Sequence, residues 1–272
     1  MPVNEGHMRV ACVQLCSVDD IAQNLKAVEL LLAEAADDGV ELALLPENFS
    51  FMGGSETEKR ELAVDQHDSL ILDFLAEQAV RHGMTIVGGS LLLKGAAGKI
   101  RNACPVVDAT GSLLTIYDKI HLFDMDYRGE SYRESAWIEA GEKSTTVLVD
   151  DFKFGLSICY DLRFPELYRL HVDNGCQVLC NVAAFTAATG RAHWQVLLRA
   201  RAIENQCYVL ASAQAGTHPD GRKTWGHSMI INPWGEVMVE LAEEVGFVVA
   251  DLSLKELNQV RLSMPVLQHK RL

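Results

Sequence analysis

A chain of 272 residues with 49% hydrophobic and 22% charged side chains has ample apolar material for a sizeable core and no low-complexity tract. Its 37 acidic residues outnumber 24 basic ones, and the net charge of −13 repels nucleic acid and anionic membrane surfaces. No stretch approaches the roughly 18 unbroken apolar residues of a membrane span, and Met1-Pro2-Val3-Asn4-Glu5-Gly6-His7 lacks the basic flank and apolar run of a secretory leader. Seven scattered cysteines, an odd number, fit a reducing cytoplasm better than a disulfide scaffold. The pairs Cys12/Cys16 and Cys176/Cys180 lie in strand-like runs, where four residues span about 13 Å at about 3.3 Å each. Thiolates so far apart cannot share one zinc, so no metal site is expected.

In chain order, residues 8–15 (MRVACVQL) read as a first strand. A helix follows from a cap at Asp19 or Asp20, with Ile21, Leu25, Val28, Leu31, Leu32 and Ala35 on one face and Gly39 as its stop. Residues 41–45 (ELALL) form a short strand ended by Pro46, so Glu47 is the first polar side chain beyond it. After the loop at Phe51-Met52-Gly53-Gly54, a helix is expected over 69–82 and a strand over 84–89. Residues 100–108 and 112–117 read as a strand pair joined by Asp108-Ala109-Thr110-Gly111, with Lys119 just past the second. Residues 124–143 form a long charged segment of the kind that serves as a lid or covers a neighbour.

A second strand pair, 145–149 and 153–158, runs into Cys159. A helix restarts at Pro165, whose missing N–H costs nothing in a first turn. Further along come a strand over 177–182, a helix over 190–206, strands over 208–213 and on either side of Asn232-Pro233-Trp234-Gly235, a strand over 247–252 and a closing helix over 254–262. Strands alternating with helices, mixed with strand pairs and with no linker, predict a layered α/β sandwich forming one domain over 1–272.

Glu47, Lys119 and Cys159 therefore share one structural address, the end of a short apolar strand, where ligands bind in α/β sheets. A carboxylate that takes a thiol proton, a thiolate that attacks a carbonyl and a lysine that steadies the oxyanion make a nucleophilic device. A thiol on a strand-to-helix turn is expected to point into solvent, with the helix N–H groups favouring its thiolate. The blander alternatives are a buried idle cysteine and a structural Glu47–Lys119 ion pair. A Cys–His arrangement with His121, His193 or His227 as base stays open on pattern alone.

The segments Leu45-Pro46-Glu47-Asn48-Phe49, Asp118-Lys119-Ile120-His121-Leu122-Phe123 and Ser157-Ile158-Cys159-Tyr160-Asp161-Leu162-Arg163-Phe164-Pro165-Glu166 resemble the three signature segments of the nitrilase, or carbon–nitrogen hydrolase, superfamily. They stand in the same order at comparable spacing, and the resemblance spans essentially the whole chain. Leu198-Arg199-Ala200-Arg201-Ala202-Ile203-Glu204-Asn205, with His193-Trp194, and Gly226-His227-Ser228-Met229 extend it. The resemblance implies a four-layer α-β-β-α sandwich that dimerises, needing neither metal nor organic cofactor. It implies Glu47 as general base, Lys119 as oxyanion-stabilising lysine, Cys159 as nucleophile and the Tyr160 N–H as part of the oxyanion hole. Glu134, in Tyr132-Arg133-Glu134-Ser135, matches a second active-site glutamate, with Glu130 as the competing match. Cys159 would attack an amide, ammonia would leave with a proton from Glu47, and water activated by Glu47 would hydrolyse the thioester.

Phe49-Ser50-Phe51-Met52-Gly53, Ala183-Ala184-Phe185-Thr186, His193-Trp194 and the carboxyl-terminal Leu262-Ser263-Met264-Pro265-Val266-Leu267-Gln268-His269-Lys270-Arg271 are most similar to the branch of deaminated glutathione amidases. The nearest rival is the ω-amidase branch, which hydrolyses α-ketoglutaramate and α-ketosuccinamate; N-carbamoyl amino acids are a further substrate class to try. Both substrate types carry a carboxylate, for which Arg163 has a suitable planar fork, unless it pairs with Glu166 or Asp161. Phe185 and Thr189 match pocket-lining positions. Arg199, Arg201 and Glu204 are expected to form a helix-borne ion-pair network, and Trp194 and Trp234 to serve core or interface. From another class, a catalytically silent binding subunit is the competing role, disfavoured by the presence of Glu47, Lys119 and Cys159 together.

Overall fold

A computed structural model describes residues 6–127 and 130–271, with the backbone alone at 127 and 130. Residues 1–5, which include most of the leader reading, and Arg128 of the charged segment lie outside it. The chain opens with β1 (His7–Gln14), α1 (Ile21–Asp37), β2 (Leu42–Leu44), α2 (Glu56–Leu62), α3 (Leu70–His82), β3 (Thr85–Val87), β4 (Leu91–Lys94), β5 (Ile100–Val107), β6 (Leu113–Asp118), β7 (Asp124–Tyr127) and β8 (Glu130–Arg133). It continues with β9 (Thr146–Val149), β10 (Phe152–Ile158), α4 (Pro165–Asp173), β11 (Val178–Ala183), α5 (Ala187–Asn205), β12 (Tyr208–Ala213), β13 (Ala215–Thr217) and β14 (Lys223–Trp225). It closes with β15 (Met229–Ile231), β16 (Val237–Glu240), β17 (Gly246–Ser253), α6 (Leu254–Ser263) and α7 (Val266–His269).

Two mixed sheets are built on the same plan, each around three parallel strands. In the first, β1, β2 and β3 are parallel; β17 joins β1 antiparallel, and β5 joins β3 antiparallel and carries β4 and β6. In the second, β10, β11 and β12 are parallel, with β9 antiparallel on one side and β15 and β16 on the other. The central strands are mostly apolar on both faces because both faces of each sheet are covered, alternate side chains joining different clusters. Along β1, Ala11 and Val13 face α1 and α3, whose Val28, Leu32, Leu75 and Ala79 cover them. Val10 and Cys12, with Leu42 and Leu44, join the cluster shared with the second sheet, and α4 and α5 add Leu167, Tyr168, Trp194 and Leu198 to it. The result is the expected α-β-β-α stack.

The caps are those the sequence offers. Asp20 accepts from the Gln23 N–H at the start of α1, Ser69 from the Leu72 N–H at the start of α3, and Gly83 ends α3 left-handed. Four features depart from expectation. α2 was not expected, although Ser55 and Glu58 form a capping box at its start. The charged segment contains a hairpin, β7–β8, and a second hairpin, β13–β14, lies in a stretch with no strand assignment. α5 begins one turn earlier than expected, which places Thr189 inside the helix. Trp194 is buried in the core, whereas Trp234 is largely exposed. Arg201 pairs with Glu204 at 2.9 Å, while Arg199 donates instead to the Gly235 carbonyl at 2.7 Å.

All seven cysteines are free. Among the described residues, no three His, Cys, Asp or Glu converge as a metal-binding group. No helix among them is long and apolar enough to cross a membrane.

Candidate active site

Glu47 follows β2, Lys119 follows β6 and Cys159 follows β10, so the first sheet supplies the acid and the base and the second supplies the thiol. β5 is antiparallel to β3, and β6 to β5, so β6 runs with β2 and both deliver their side chains to one rim. Two glycines permit this closeness. A Cβ at Gly89, at φ +54°, would stand 2.1 Å from the Pro46 carbonyl oxygen, and one at Gly141 would stand 2.1 Å from the Asp118 carbonyl oxygen. Any side chain there displaces the backbone next to Glu47 or Lys119.

At the rim Lys119 Nζ lies 2.9 Å from Glu47 Oε1 and 3.0 Å from Glu134 Oε1. Glu47 is 3% exposed and Lys119 2%. Two further donors hold Glu47: Asn102 Nδ2 to Oε1 at 2.9 Å and the Ala184 N–H to Oε2 at 2.7 Å. Glu134, on a short 3₁₀ turn after β8, also accepts from the Phe123 N–H. Burial pushes the Glu47 carboxyl up, but the Lys119 charge and hydrogen bond, Arg222 and the Ala184 N–H outweigh it and hold it below the usual range. Burial pulls Lys119 down, and the charges of Glu134 and Glu47 reverse this, so the lysine stays an ammonium.

Cys159 sits at φ +46°, in the left-handed region that a residue with a Cβ seldom adopts. Here expectation and structure part. The thiol is 6% exposed and faces a cavity rather than open solvent, and a 3₁₀ turn (Cys159–Arg163) separates it from α4. Burial and the Glu47 charge push the thiol up, more than Lys119 and Arg222 pull it down. No standing thiolate is favoured; the thiol must hand its proton to a base as it attacks. Burial is also the bland alternative's prediction, yet this thiol borders a cavity of about 810 Å³ together with Glu47, Lys119 and Glu134. Such a wall of charge around one buried thiol suits acyl transfer.

None of the three histidines lines that cavity. His121 Nδ1 donates to Asp161 at 2.7 Å, with its ring stacked on Phe164; His227 pairs with Glu240 at 2.6 Å; His193 meets Arg163 at 3.2 Å. Tyr160, Arg163, Phe185 and Thr189 line a small recess that adjoins the cavity and shares Cys159, Phe123 and Arg222 with it. Arg163 pairs with neither Glu166 nor Asp161 among the described residues. Its guanidinium lies 5.0 Å from the Phe185 ring centre and 5.7 Å from that of Tyr160. Thr189 Oγ1 meets Thr186 Oγ1 at 2.8 Å.

Residues 9–262 match the carbon-nitrogen hydrolase family. The chain belongs to that family. Within the carbon–nitrogen hydrolases it is 45% identical over 96% of its length to a deaminated glutathione amidase from Synechocystis sp., covering 97% of that protein. It is 37% identical to the omega-amidase NIT2 of Danio rerio, over 97% of this chain and 94% of that one. The crystal structure of Saccharomyces cerevisiae Nit3, a member of branch 10 of the nitrilase superfamily, superposes with a TM-score of 0.90 at 29% identity, covering all of this chain and 99% of that chain. The protein is thus a hydrolase of the nitrilase superfamily with relatives named as amidases.

Sequence reasoning missed Asn102, Lys59, Tyr132, Trp137 and Arg222, all of which line the cavity. Asn102 was the most findable, being a polar residue near the start of β5 that is buried with the apolar run after it. Lys59 and Arg222 lie in polar stretches that carry no comparable signal.

Proposed function

We propose that this carbon–nitrogen hydrolase cleaves deaminated glutathione, with Cys159 as nucleophile, Glu47 as general base and acid, Lys119 and the Tyr160 N–H as oxyanion donors, and Glu134 positioning Lys119. The observation that carries the reading is the Glu47–Lys119–Glu134 chain, ion-paired at 2.9 Å and nearly all buried, in the same cavity as the thiol. The similarity to a deaminated glutathione amidase at 45% identity supports the substrate.

In the first half-reaction the Cys159 S–H proton passes to Glu47 as sulfur bonds to the amide carbon. The electron pair of the carbonyl moves onto oxygen, beside Lys119 Nζ. The C–N bond then breaks, and the nitrogen takes the proton from Glu47, leaving a thioester. In the second half, water gives a proton to Glu47 and adds to the thioester. The C–S bond breaks, and the proton returns to sulfur. Ammonia is the departing group only when the substrate is a primary amide. From deaminated glutathione the nitrogen leaves as cysteinylglycine, so the product to be measured differs between the two candidate substrates.

The test is side-by-side turnover of deaminated glutathione, read as cysteinylglycine, and α-ketoglutaramate, read as ammonia, with Cys159→Ala as control. A preference for the first and loss of both in the variant is the expected result. A preference for α-ketoglutaramate moves the substrate to that of the ω-amidases with the chemistry intact; full activity of Cys159→Ala sinks the mechanism. We also propose a cytoplasmic homodimer, supported by seven free cysteines and by the exposed apolar group Val196, Ile203 and Trp234. Sedimentation of a monomer at micromolar concentration would remove the dimer.

A further inference from the structure

The cavity is larger than the acyl transfer needs, and two cations that border it form no direct ion pair among the described residues. Lys59, on α2, and Arg222, in the loop of the β13–β14 hairpin, both border it. Among the described residues neither forms an ion pair, in a protein whose net charge is −13. Lys59 Nζ lies 5.7 Å from the Trp137 ring centre, and the Arg222 guanidinium 5.3 Å from that of Tyr132. Each cation is thus steadied by an aromatic face. Arg222 Nη2 donates to the Ala184 carbonyl at 2.7 Å, while its buried Nε has no partner. Glu56 and Asp220 also border the cavity, and both, with Glu134, lie within electrostatic reach of Lys59.

Two like charges held in mutual range, partly desolvated, are costly unless an anion comes between them. Burial and then the charge of Arg222 depress the Lys59 ammonium, and Asp220, Glu56 and Glu134 only partly oppose this. Position decides which anion. Arg163, Phe185 and Thr189 line the adjoining recess, where the Arg163 fork suits the carboxylate of the acyl half; Arg222 stands where recess and cavity meet, and Lys59 borders the cavity alone. The wall with Lys59, Trp137 and Tyr132 is therefore open to the half that departs with the nitrogen.

Resting on the amidase reading above, we propose that Lys59 and Arg222 form an anion subsite for the carboxylate of the substrate's amine half. A substrate whose leaving group is a short peptide with a free carboxyl end fills this wall. A primary amide leaves it empty. The geometry thereby selects between the two substrate classes that the catalytic residues, common to both, cannot distinguish.

The test compares deaminated glutathione with the same molecule carrying a carboxamide in place of its glycine carboxylate, using the full-length protein. Wild type should lose about tenfold or more in kcat/KM on the carboxamide, mostly in KM, as expected for a charge-assisted contact made equally in ground and transition states. Lys59→Met should shrink that acid-to-carboxamide ratio at least threefold, and Arg222→Lys should shrink it less. Equal turnover of acid and carboxamide by wild type overturns the subsite while leaving the activity standing, and this arm needs no variant to fold. Failure to cleave deaminated glutathione, with α-ketoglutaramate still hydrolysed, overturns the substrate reading and the subsite together.

Discussion

Asp161 fixes the backbone of Cys159 from two residues away. Its Oδ2 accepts from the Ile158 N–H at 2.9 Å and from the Tyr117 hydroxyl at 2.7 Å; its Oδ1 accepts from the His121 N–H at 3.0 Å and from His121 Nδ1 at 2.7 Å. The carboxylate is wholly buried, and four donors satisfy it. Tyr117 and His121 bracket Lys119 on the other sheet, so one side chain ties the turn of the nucleophile to the strand end that carries the lysine. This is what sustains a left-handed cysteine that would otherwise relax.

Asp161→Asn is expected to lower stability by about 2–4 kcal/mol, because its amide NH₂ must face two of the four donors, whichever oxygen it replaces. It should also lower kcat more than tenfold through a displaced thiol. Urea unfolding and steady-state turnover of the same preparation check both. A destabilised variant with undiminished kcat would show that the turn keeps its shape without Asp161.

Glu47→Gln keeps the volume of the base and removes its proton affinity. Loss of a positioned acid–base group should lower kcat by about 10²–10⁴-fold. The variant loses the Glu47 charge that helps raise the thiol, but burial, the larger cause, remains. The base that takes the proton is gone, so alkylation of Cys159 by iodoacetamide near neutral pH should slow. Alkylation at the wild-type rate would mean that another group takes the thiol proton.

Gly89→Ala forces a Cβ against the carbonyl of Pro46 at a positive φ. The expected cost is about 2–4 kcal/mol, with kcat falling further than the loss of folded protein explains, since the strained peptide immediately precedes Glu47. Differential scanning calorimetry and active-site titration separate the two effects. Wild-type kcat per folded molecule would show that Pro46 can shift without moving Glu47.

Glu47 and Cys159 were legible because each follows a short apolar run that is a buried strand, whereas Lys119 was less so, since β6 is half exposed and Asp118 stands before it. Glu134 was reachable only through family resemblance: its turn is set by the β7–β8 hairpin, whose cross-strand Arg133–Asp126 pair looks like loop charge in the sequence. The ionisation of Cys159 was misjudged because strand-to-helix order says nothing of how deep the turn lies. Here the depth of burial outweighs the nearby positive charge. Lys59 and Arg222 were invisible for a further reason. All of α2 lies near the surface, with no apolar stripe, and only the packing of distant segments turns its lysine towards the cavity.

Beneath the nucleophile's strand, His171 of α4 presses against Gly155, where a Cβ would stand 2.5 Å from the imidazole Cγ. Its Nε2 donates to the Leu156 carbonyl at 3.0 Å, and its buried Nδ1 has no partner. Burial lowers this histidine from 6.5 to about 4, against the Leu156 contact and the Asp161 charge. The folded state therefore holds it neutral where the unfolded chain has already bound a proton. Its contribution to stability is complete above the unfolded value, falls as pH drops from about 6.5 towards 4, and is lost below that. Between pH 7 and 4.5 wild type should lose roughly 2–3 kcal/mol more than His171→Gln, which can keep a donor towards Leu156 and has no proton to bind. Urea unfolding of both proteins at the two pH values measures the difference. Parallel losses would mean that the imidazole titrates freely, and that the acid limit of this enzyme is set elsewhere.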